Sequence, residues 1–132
     1  IQNEFYGEFA NDDETVSAIK EIYENYHYLM DPHTAVAYSV YEKLDEKHLD
    51  KDIHTVIMST AHPFKFPAPI AKALGIDDTK EPYAILDEVS EITGVKFPEK
   101  LTEVRNSKIR FSDVIDKGDI QDFVKKYIKD LK

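Results

Sequence analysis

Apolar residues recur at helical spacing soon after the start of the chain. Asn11 is a favourable N-cap, and Glu14 lies three residues later, which completes the capping-box pattern. The period of about 3.6 residues in the segment that follows is typical of an amphipathic helix. The pattern predicts a helix that begins at Asn11 and runs for about six turns at most. Its apolar stripe consists of Val16, Ile19, Ile22, Tyr23 and Tyr26.

A second helix is predicted to begin at the segment Asp31-Pro32-His33-Thr34. Asp31 is a favourable N-cap, and Pro32 has the fixed backbone torsion that suits the first helical turn. The residues that follow are apolar around most of the helix, which is typical of a helix packed on more than one side. Charged residues then dominate from Glu42 to Asp52, where we expect a solvated helix end and a loop.

The run Thr55-Val56-Ile57-Met58 is short, β-branched and continuous rather than alternating. It predicts a strand that is buried on both faces of a parallel sheet. Ser59, Thr60 and His62 follow directly, at the end of a strand where ligands bind in open α/β sheets. A single strand cannot satisfy its own backbone hydrogen bonds, so it needs a partner. The partner is either a weak candidate such as Lys108-Ile109-Arg110-Phe111 or a strand from missing polypeptide.

The rest of the chain is predicted to be mainly helical. Two helices are expected to end at glycines, a single turn to begin at a proline, and a last amphipathic helix to close the chain. These segments are 68–75, 81–93, 98–101 and the region from about Asp119. Residues 1–132 are therefore expected to form a single compact unit of the α/β class, rich in helices and with few strands.

Composition narrows the possible functions. The chain is 42% hydrophobic and 33% charged, and no apolar stretch approaches the roughly 20 residues of a membrane span. Its net charge of −9 disfavours nucleic acid as a partner. The absence of cysteine excludes disulfides and thiolate chemistry, and we expect a cytoplasmic protein. Position 1 is not methionine, which fits a chain cut from a longer one.

Two segments concentrate residues that could carry chemistry. Asp31 and Pro32 are explained by a helix start alone, but His33 and Thr34 follow in a first turn where free N–H groups favour an anion. Ser59, Thr60 and His62, taken singly, are ordinary turn or capping residues. Asp31, His33 and His62 together offer the ligands of a metal hydrolase. No spacing such as His-x-x-x-His supports that alternative, so we expect no metal site.

The same two segments resemble a known enzyme family. Tyr28-Leu29-Met30-Asp31-Pro32-His33-Thr34-Ala35-Val36, followed by Ser59-Thr60-Ala61-His62-Pro63-Phe64-Lys65-Phe66, is similar in order and spacing to threonine synthase. The lead-in Phe5-Tyr6-Gly7-Glu8-Phe9-Ala10 fits the longer bacterial and fungal branch of that family. The resemblance covers the whole chain and implies the C-terminal portion of a fold-type II pyridoxal-phosphate enzyme. Such an enzyme has a three-layer α/β/α catalytic domain.

The resemblance also implies an activity and a cofactor contact. The family converts O-phospho-L-homoserine and water to L-threonine and phosphate with pyridoxal 5′-phosphate. A hydroxyl residue near the C-terminus faces the pyridine nitrogen of the cofactor, and the family's Thr-Ala-His step falls on Thr60-Ala61-His62. The resemblance therefore assigns cofactor binding to Thr60, with Ser59 as a neighbour that could substitute. Asp31, His33, Thr34 and His62 are assigned to positions near the site.

Two functional parts of the family are not found in this sequence. No segment resembles the Ser-Phe-Lys-Asp motif of the Schiff-base lysine or the cofactor-phosphate loop, and Lys65 is not the matching lysine. We therefore assign no catalytic residue and expect the fragment alone to be inactive. It would act with the missing N-terminal portion of the same chain. The alternative is a free-standing acidic helical module that docks onto a partner protein through apolar helix faces.

Overall fold

A computed structural model describes residues 5–44 and 52–130 of the chain. This part contains six α-helices and two short 3-10 helices, and none of its residues lies in a β-strand. The α-helices are α1 (Asp12–Tyr26), α2 (Pro32–Glu42), α3 (Pro67–Leu74), α4 (Pro82–Thr93), α5 (Glu99–Arg105) and α6 (Ile120–Asp130). The 3-10 helices are Pro63–Lys65 and Lys117–Asp119. The prediction of a helix-rich chain is confirmed.

The predicted start of α1 is confirmed by its capping hydrogen bonds. The backbone N–H of Glu14 donates to Asn11 Oδ1 over 2.9 Å, and the N–H of Asn11 donates to Glu14 Oε2 over 2.8 Å. The helix has 15 residues and therefore about four turns, fewer than the upper limit set by the sequence. It ends because His27 adopts the left-handed conformation, with φ of 53°.

Two later helices end at glycines, as predicted. Gly75 follows α3 and Gly94 follows α4, and both have φ of 70°, a conformation that strains residues with a Cβ atom. Glu81 caps α4 with its carboxylate, which accepts from the N–H groups of Tyr83 and Ala84. The single turn expected at residues 98–101 is wrong, because α5 continues to Arg105.

The strand predicted at Thr55–Met58 is not formed in the described part of the chain. These residues have no regular secondary structure, and the side chains of Val56 and Met58 are 78% and 72% exposed. The candidate strand 108–111 is also irregular and exposed. A parallel ladder requires a neighbouring strand, and residues 5–44 and 52–130 provide none. The described residues taken alone are therefore helix-rich and contain no sheet, so they do not by themselves display α/β layers.

The core lies among the first four helices. Helix α1 packs against α2 and α3, and α3 packs against α4. Phe64, from the 3-10 helix 63–65, is 2% exposed and contributes its ring to this core. The segment that carries the predicted site residues is thus anchored by an aromatic side chain. The other fully buried large apolar side chains are Ile19, Ile70, Ile85 and Val89.

The C-terminal region is less buried than the core. Helix α6 makes its most extensive contacts between elements with the 3-10 helix 117–119. The helical spacing in the sequence predicts an apolar stripe of Ile120, Phe123, Val124, Tyr127, Ile128 and Leu131 on this helix. Phe123 is partly buried, and Ile120, Val124, Tyr127 and Ile128 are exposed. The last member, Leu131, lies outside the described residues, as does most of the predicted charged loop. Among the helices described, none has the length and hydrophobicity of a membrane span.

Candidate functional site

Asp31 caps α2 with a buried carboxylate. The residue is 1% exposed, and its Oδ1 accepts from the backbone N–H of His33 over 3.0 Å and that of Thr34 over 3.4 Å. Its Oδ2 accepts a short hydrogen bond from the Thr34 hydroxyl. The carboxylate is therefore satisfied by the first helical turn, as the N-cap prediction requires.

The pKa of Asp31 reflects two opposing effects. Burial raises the pKa, because it disfavours the charged carboxylate. Hydrogen bonds from the Thr34 hydroxyl and from the N–H groups of His33 and Thr34 favour the charged form and outweigh burial. The pKa of Asp31 is consequently lowered below its ordinary value. Asp31 is an ionised structural group at neutral pH rather than a proton donor.

His33 links the two segments that carry the predicted site residues, 31–34 and 59–66. Its Nδ1 lies 3.2 Å from Asp31 Oδ1, and its side chain remains 64% exposed. Its imidazole lies against the ring of Phe66, with centroids 5.0 Å apart and the planes tilted by 59°. The start of α2 and the end of the segment 59–66 are therefore neighbours in space, although about thirty positions separate them in sequence.

His62 organises the turn that follows Thr60. Its Nδ1 accepts from the backbone N–H of Phe64 over 3.2 Å, and its ring makes an edge contact with the Phe64 ring at 5.2 Å. In a neutral imidazole this leaves the proton on Nε2. Phe64 in turn contacts the ring of Phe97 at 5.4 Å. The aromatic contacts hold the His62 turn on the helical core.

Ser59 and Thr60 lie in the irregular segment just before this turn, and both are exposed. Among the described residues, neither hydroxyl takes part in a hydrogen bond. This is a notable contrast with Thr34, Thr79 and Thr93, whose hydroxyls all bond within the chain. The two hydroxyls are therefore accessible to a group that approaches from outside the described part of the chain.

The structure brings some of the predicted site residues together but does not make a metal site of them. In residues 5–44 and 52–130, no group of three or more His, Asp or Glu side chains is arranged to hold a metal ion. Asp31 is buried beneath its own helix turn, and one ring nitrogen of each of His33 and His62 is already engaged. The grouping of Asp31, His33 and His62 proposed for a metal hydrolase is therefore not observed.

Grooves between the helices lie away from the predicted residues. One of about 270 Å³ runs beside α1 and α3 and is lined by Lys20, Tyr23, Lys72 and Ile92, among others. Another lies beside α4 and is lined by Asp87, Ser90, Glu91 and Phe97. Neither contains Ser59 or Thr60. The exposed hydroxyls thus lie on an open surface rather than within these grooves.

Comparison with known proteins decides the family. The family model described as "Threonine synthase, C-terminal" matches residues 34–128, which is most of the chain. The chain belongs to the threonine synthase family. The matched region includes Thr34, the irregular segment with Ser59 and Thr60, and the His62 turn. The family suggested by the two sequence motifs is confirmed.

The individual relatives are named threonine synthase or threonine synthase-like 1. The segment is 45% identical over 73 residues to threonine synthase of Schizosaccharomyces pombe and 43% identical over 75 residues to that of Saccharomyces cerevisiae. It is 38% identical over 81 residues to threonine synthase-like 1 of Mus musculus. These alignments cover 55%, 54% and 61% of this chain, but 14%, 15% and 10% of the relatives. The chain thus spans about a seventh of the two fungal enzymes, and no solved structure was found to match it.

Two aromatic residues assemble this region, and neither is among the site residues predicted from the sequence. Phe64 and Phe66 occupy alternate positions of Pro63-Phe64-Lys65-Phe66, one in the core and one against His33. In the sequence, the two phenylalanines on either side of one lysine indicate that each ring makes a different apolar contact. Only the folded turn reveals which contact each ring makes.

Proposed function

We propose that the intact protein is a threonine synthase, which converts O-phospho-L-homoserine and water to L-threonine and phosphate with pyridoxal 5′-phosphate. The observation that carries this proposal is the family match over residues 34–128. The similarity to the two fungal enzymes named threonine synthase supports it. The reaction belongs to the carbon–oxygen lyases that act on phosphate esters.

We further propose that residues 1–132 are the C-terminal portion of a fold-type II catalytic domain with three α/β/α layers. The segment 55–58 would pair with strands from the N-terminal portion of the same protein. The lack of strand pairing for this segment among the described residues and the exposed side chains of Val56 and Met58 support this proposal. On this proposal the strand is absent from the described residues because its neighbours belong to the remaining polypeptide.

The residues present fit one part of a pyridoxal-phosphate site. Thr60, or Ser59 beside it, would meet the pyridine nitrogen, since both hydroxyls are exposed and have no bonding partner in the described chain. Pyridoxal phosphate supplies an electron sink when it is bound. A neutral hydroxyl leaves the pyridine nitrogen less firmly protonated than a carboxylate would, so Thr60 would moderate that sink. Thr60 would not itself react with substrate.

The remaining predicted residues would shape the wall beside Thr60. His33 has an exposed ring held by Phe66, and His62 fixes the turn through its contact with Phe64. Asp31 and Thr34 are buried in the cap and would act by holding the start of α2 in place. We propose no catalytic residue in this chain, so the covalent attachment of cofactor would depend on a lysine in the N-terminal portion.

The alternative of an acidic helical interaction module draws on one structural observation. Large apolar side chains are exposed along the C-terminal region, including Val104, Ile109, Phe111 and Val114. Exposed apolar surface of this kind indicates that another polypeptide covers it. We favour the remaining part of the same enzyme as that polypeptide, because the chain aligns with a small fraction of its relatives. A cytoplasmic location is proposed for the intact protein, in keeping with a chain without cysteine.

Phosphate release from O-phospho-L-homoserine tests the enzyme assignment. We expect the full-length protein with pyridoxal phosphate to release phosphate and threonine in equal amounts. Residues 1–132 alone should release neither phosphate nor threonine. When the separately expressed N-terminal portion is added, it should bind residues 1–132 in a one-to-one complex. A full-length protein that binds pyridoxal phosphate but forms no threonine would contradict the activity. A 1–132 chain that does not bind the N-terminal portion would favour the independent interaction module.

A further inference from the structure

The 3-10 helix 63–65 depends on the imidazole of His62 for one of its hydrogen bonds. Pro63 has no N–H, and the N–H of Lys65 donates to the His62 carbonyl over 3.1 Å. The N–H of Phe64 has no carbonyl partner among the described residues and donates instead to His62 Nδ1 over 3.2 Å. Phe64 is 2% exposed, so water is not a ready replacement for this acceptor. The imidazole of His62 therefore closes the turn.

The hydrogen bond from Phe64 requires His62 in its neutral form, because a backbone N–H can only donate and Nδ1 must be unprotonated to accept. The Nδ1 of His33 has the opposite role, since it lies 3.2 Å from the ionised carboxylate of Asp31 and must carry the proton of that contact. A second proton on His33 therefore leaves its contact in place. A second proton on His62 sets an N–H against the N–H of Phe64 and breaks the cap.

The charged groups around His62 do not offset the loss of this cap. The surrounding elements carry Lys65 in the 3-10 helix, Asp31 and His33 at the start of α2, and Lys96 in the segment after α4. The two lysines and His33 are basic and do not favour a further positive charge nearby. The oxygens of Asp31 are bonded to the first turn of α2. In the described part of the chain, His62 forms no ion pair with a carboxylate.

The turn also determines where the hydroxyl of Thr60 lies. Thr60 is two residues before His62, in a segment without regular secondary structure. On its C-terminal side the chain is held by the rings of His62 and Phe64, which are 5.2 Å apart, and by the burial of Phe64 in the core. An opened turn would therefore move the backbone that carries Thr60.

We propose that the neutral imidazole of His62 positions the hydroxyl of Thr60 against the cofactor ring, and that protonation of His62 releases it. This inference rests on the proposed function, in which that hydroxyl meets the pyridine nitrogen. His62 acts through Thr60 and is a positioning residue. Imidazole side chains change charge between about pH 5 and 8, so the contact is present in mild alkali and lost in mild acid.

The full-length enzyme with bound pyridoxal phosphate tests this inference through His62→Asn. Asparagine is a favourable N-cap residue, and its side-chain oxygen does not titrate. We expect the ratio of kcat for His62→Asn to kcat for the unaltered enzyme to rise about tenfold between about pH 8 and about pH 5.5. Over the same range, the absorption spectrum of the bound cofactor should change in the unaltered enzyme and not in His62→Asn. His54→Asn is the matched control, since His54 is exposed and makes no ring contact in the described chain.

A double variant distinguishes positioning of Thr60 from a general structural role. His62→Ala should lower kcat about tenfold at about pH 8 in the unaltered enzyme, but less than about twofold in Thr60→Val, where the hydroxyl is already missing. An equal loss in both backgrounds would show that His62 does not act through Thr60. An unchanged circular-dichroism melting curve for His62→Asn confirms that this variant is folded.

The outcomes separate this inference from the proposed function. If the unaltered enzyme binds pyridoxal phosphate but forms no threonine, the proposed function fails. The absorption spectra still test His62 in that case, because they require no turnover. If His62→Asn shows the same spectral change with pH as the unaltered enzyme and His54→Asn, protonation of His62 does not release the contact and the inference is overturned.

Discussion

The imidazole of His33 packs against the ring of Phe66, with the two centroids 5.0 Å apart. This contact links the first turn of α2 to the residue that follows the 3-10 helix 63–65. The two ends of the contact belong to the two sequence segments that carry the family resemblance. The two segments are distant in the sequence but in direct contact in the fold.

A double-mutant cycle measures the His33–Phe66 contact. We expect His33→Ala and Phe66→Ala to be coupled by about 0.5–1.5 kcal/mol in the free energy of unfolding, the range for aromatic pairs. Urea unfolding of the two single variants and the double variant provides the coupling. The control pairs Phe66→Ala with His54→Ala, because His54 is exposed and makes no ring contact in the described chain. Additive effects in the His33 cycle would show that the contact contributes no stability.

The buried cap of α2 is predicted to be more important to stability than the exposed cap of α1. Asp31→Ala removes a charged acceptor and leaves the buried Thr34 hydroxyl without its partner, so we expect a loss of about 2–3 kcal/mol. Asn11→Ala removes an exposed cap and should cost about 1 kcal/mol. Urea unfolding compares the two variants. Equal losses would mean that burial adds nothing to the Asp31 cap.

Asp31 should also make stability depend on pH in the acid range. Its pKa is lower in the folded protein than its ordinary value of about 3.9, so folding favours the ionised form. The resulting stability is present above the ordinary value and is lost as pH falls through the folded pKa. We expect the difference in unfolding free energy between the unaltered protein and Asp31→Asn to shrink below about pH 4. A difference that is the same at neutral pH and below pH 4 would contradict this account.

Local signals account for the parts of the fold that the sequence predicted correctly. The caps at Asn11 and Asp31 and the glycines after α3 and α4 act within about one helical turn, so their residue types alone indicate the helix ends. The length of α5 was wrong because no strong stop follows Leu101 until Asn106. Local chemistry therefore predicts where a helix begins more reliably than how far a weakly marked helix extends.

Long-range contacts account for what the sequence could not predict. The pattern of Thr55–Met58 describes a strand, but forming one depends on neighbours at a distance in the chain. The contact between His33 and Phe66 depends on how the 3-10 helix is seated by Phe64, which no periodicity encodes. The candidate site was found through motifs whose local structures are simple caps and turns. How these motifs come together is visible only in the folded chain, where Phe64 packs in the core and Phe66 packs against His33.

Two helix ends adopt the left-handed conformation, and we expect the protein to be more stable with glycine than with alanine at each of them. His27 ends α1 with φ of 53°, a conformation that costs a residue with a Cβ atom about 1 kcal/mol relative to glycine. His27→Gly should therefore be more stable than His27→Ala by about 0.5–1 kcal/mol, because both variants lose the ring contact with Tyr23 and differ only in the Cβ atom. Gly75→Ala at the end of α3 should destabilise it by about 1 kcal/mol, for conformational reasons alone, since an added Cβ meets no atom within 4 Å. A urea midpoint that is no higher with glycine than with alanine at residue 27 or at residue 75 would contradict this account.

Thr60 provides the sharpest functional prediction. Thr60→Val in the full-length enzyme preserves shape but removes the hydroxyl proposed to meet the cofactor ring, so we expect kcat to fall by about tenfold or more. The absorption spectrum of the bound cofactor should also shift, because the partner of its pyridine nitrogen has changed. Thr55→Val is the matched control, since Thr55 is exposed in the same irregular segment and lies outside the proposed contact. If Thr60→Val retains both the spectrum and kcat of the unaltered enzyme while Ser59→Ala loses them, the cofactor contact belongs to Ser59. If neither variant changes them, this segment does not face the pyridine nitrogen.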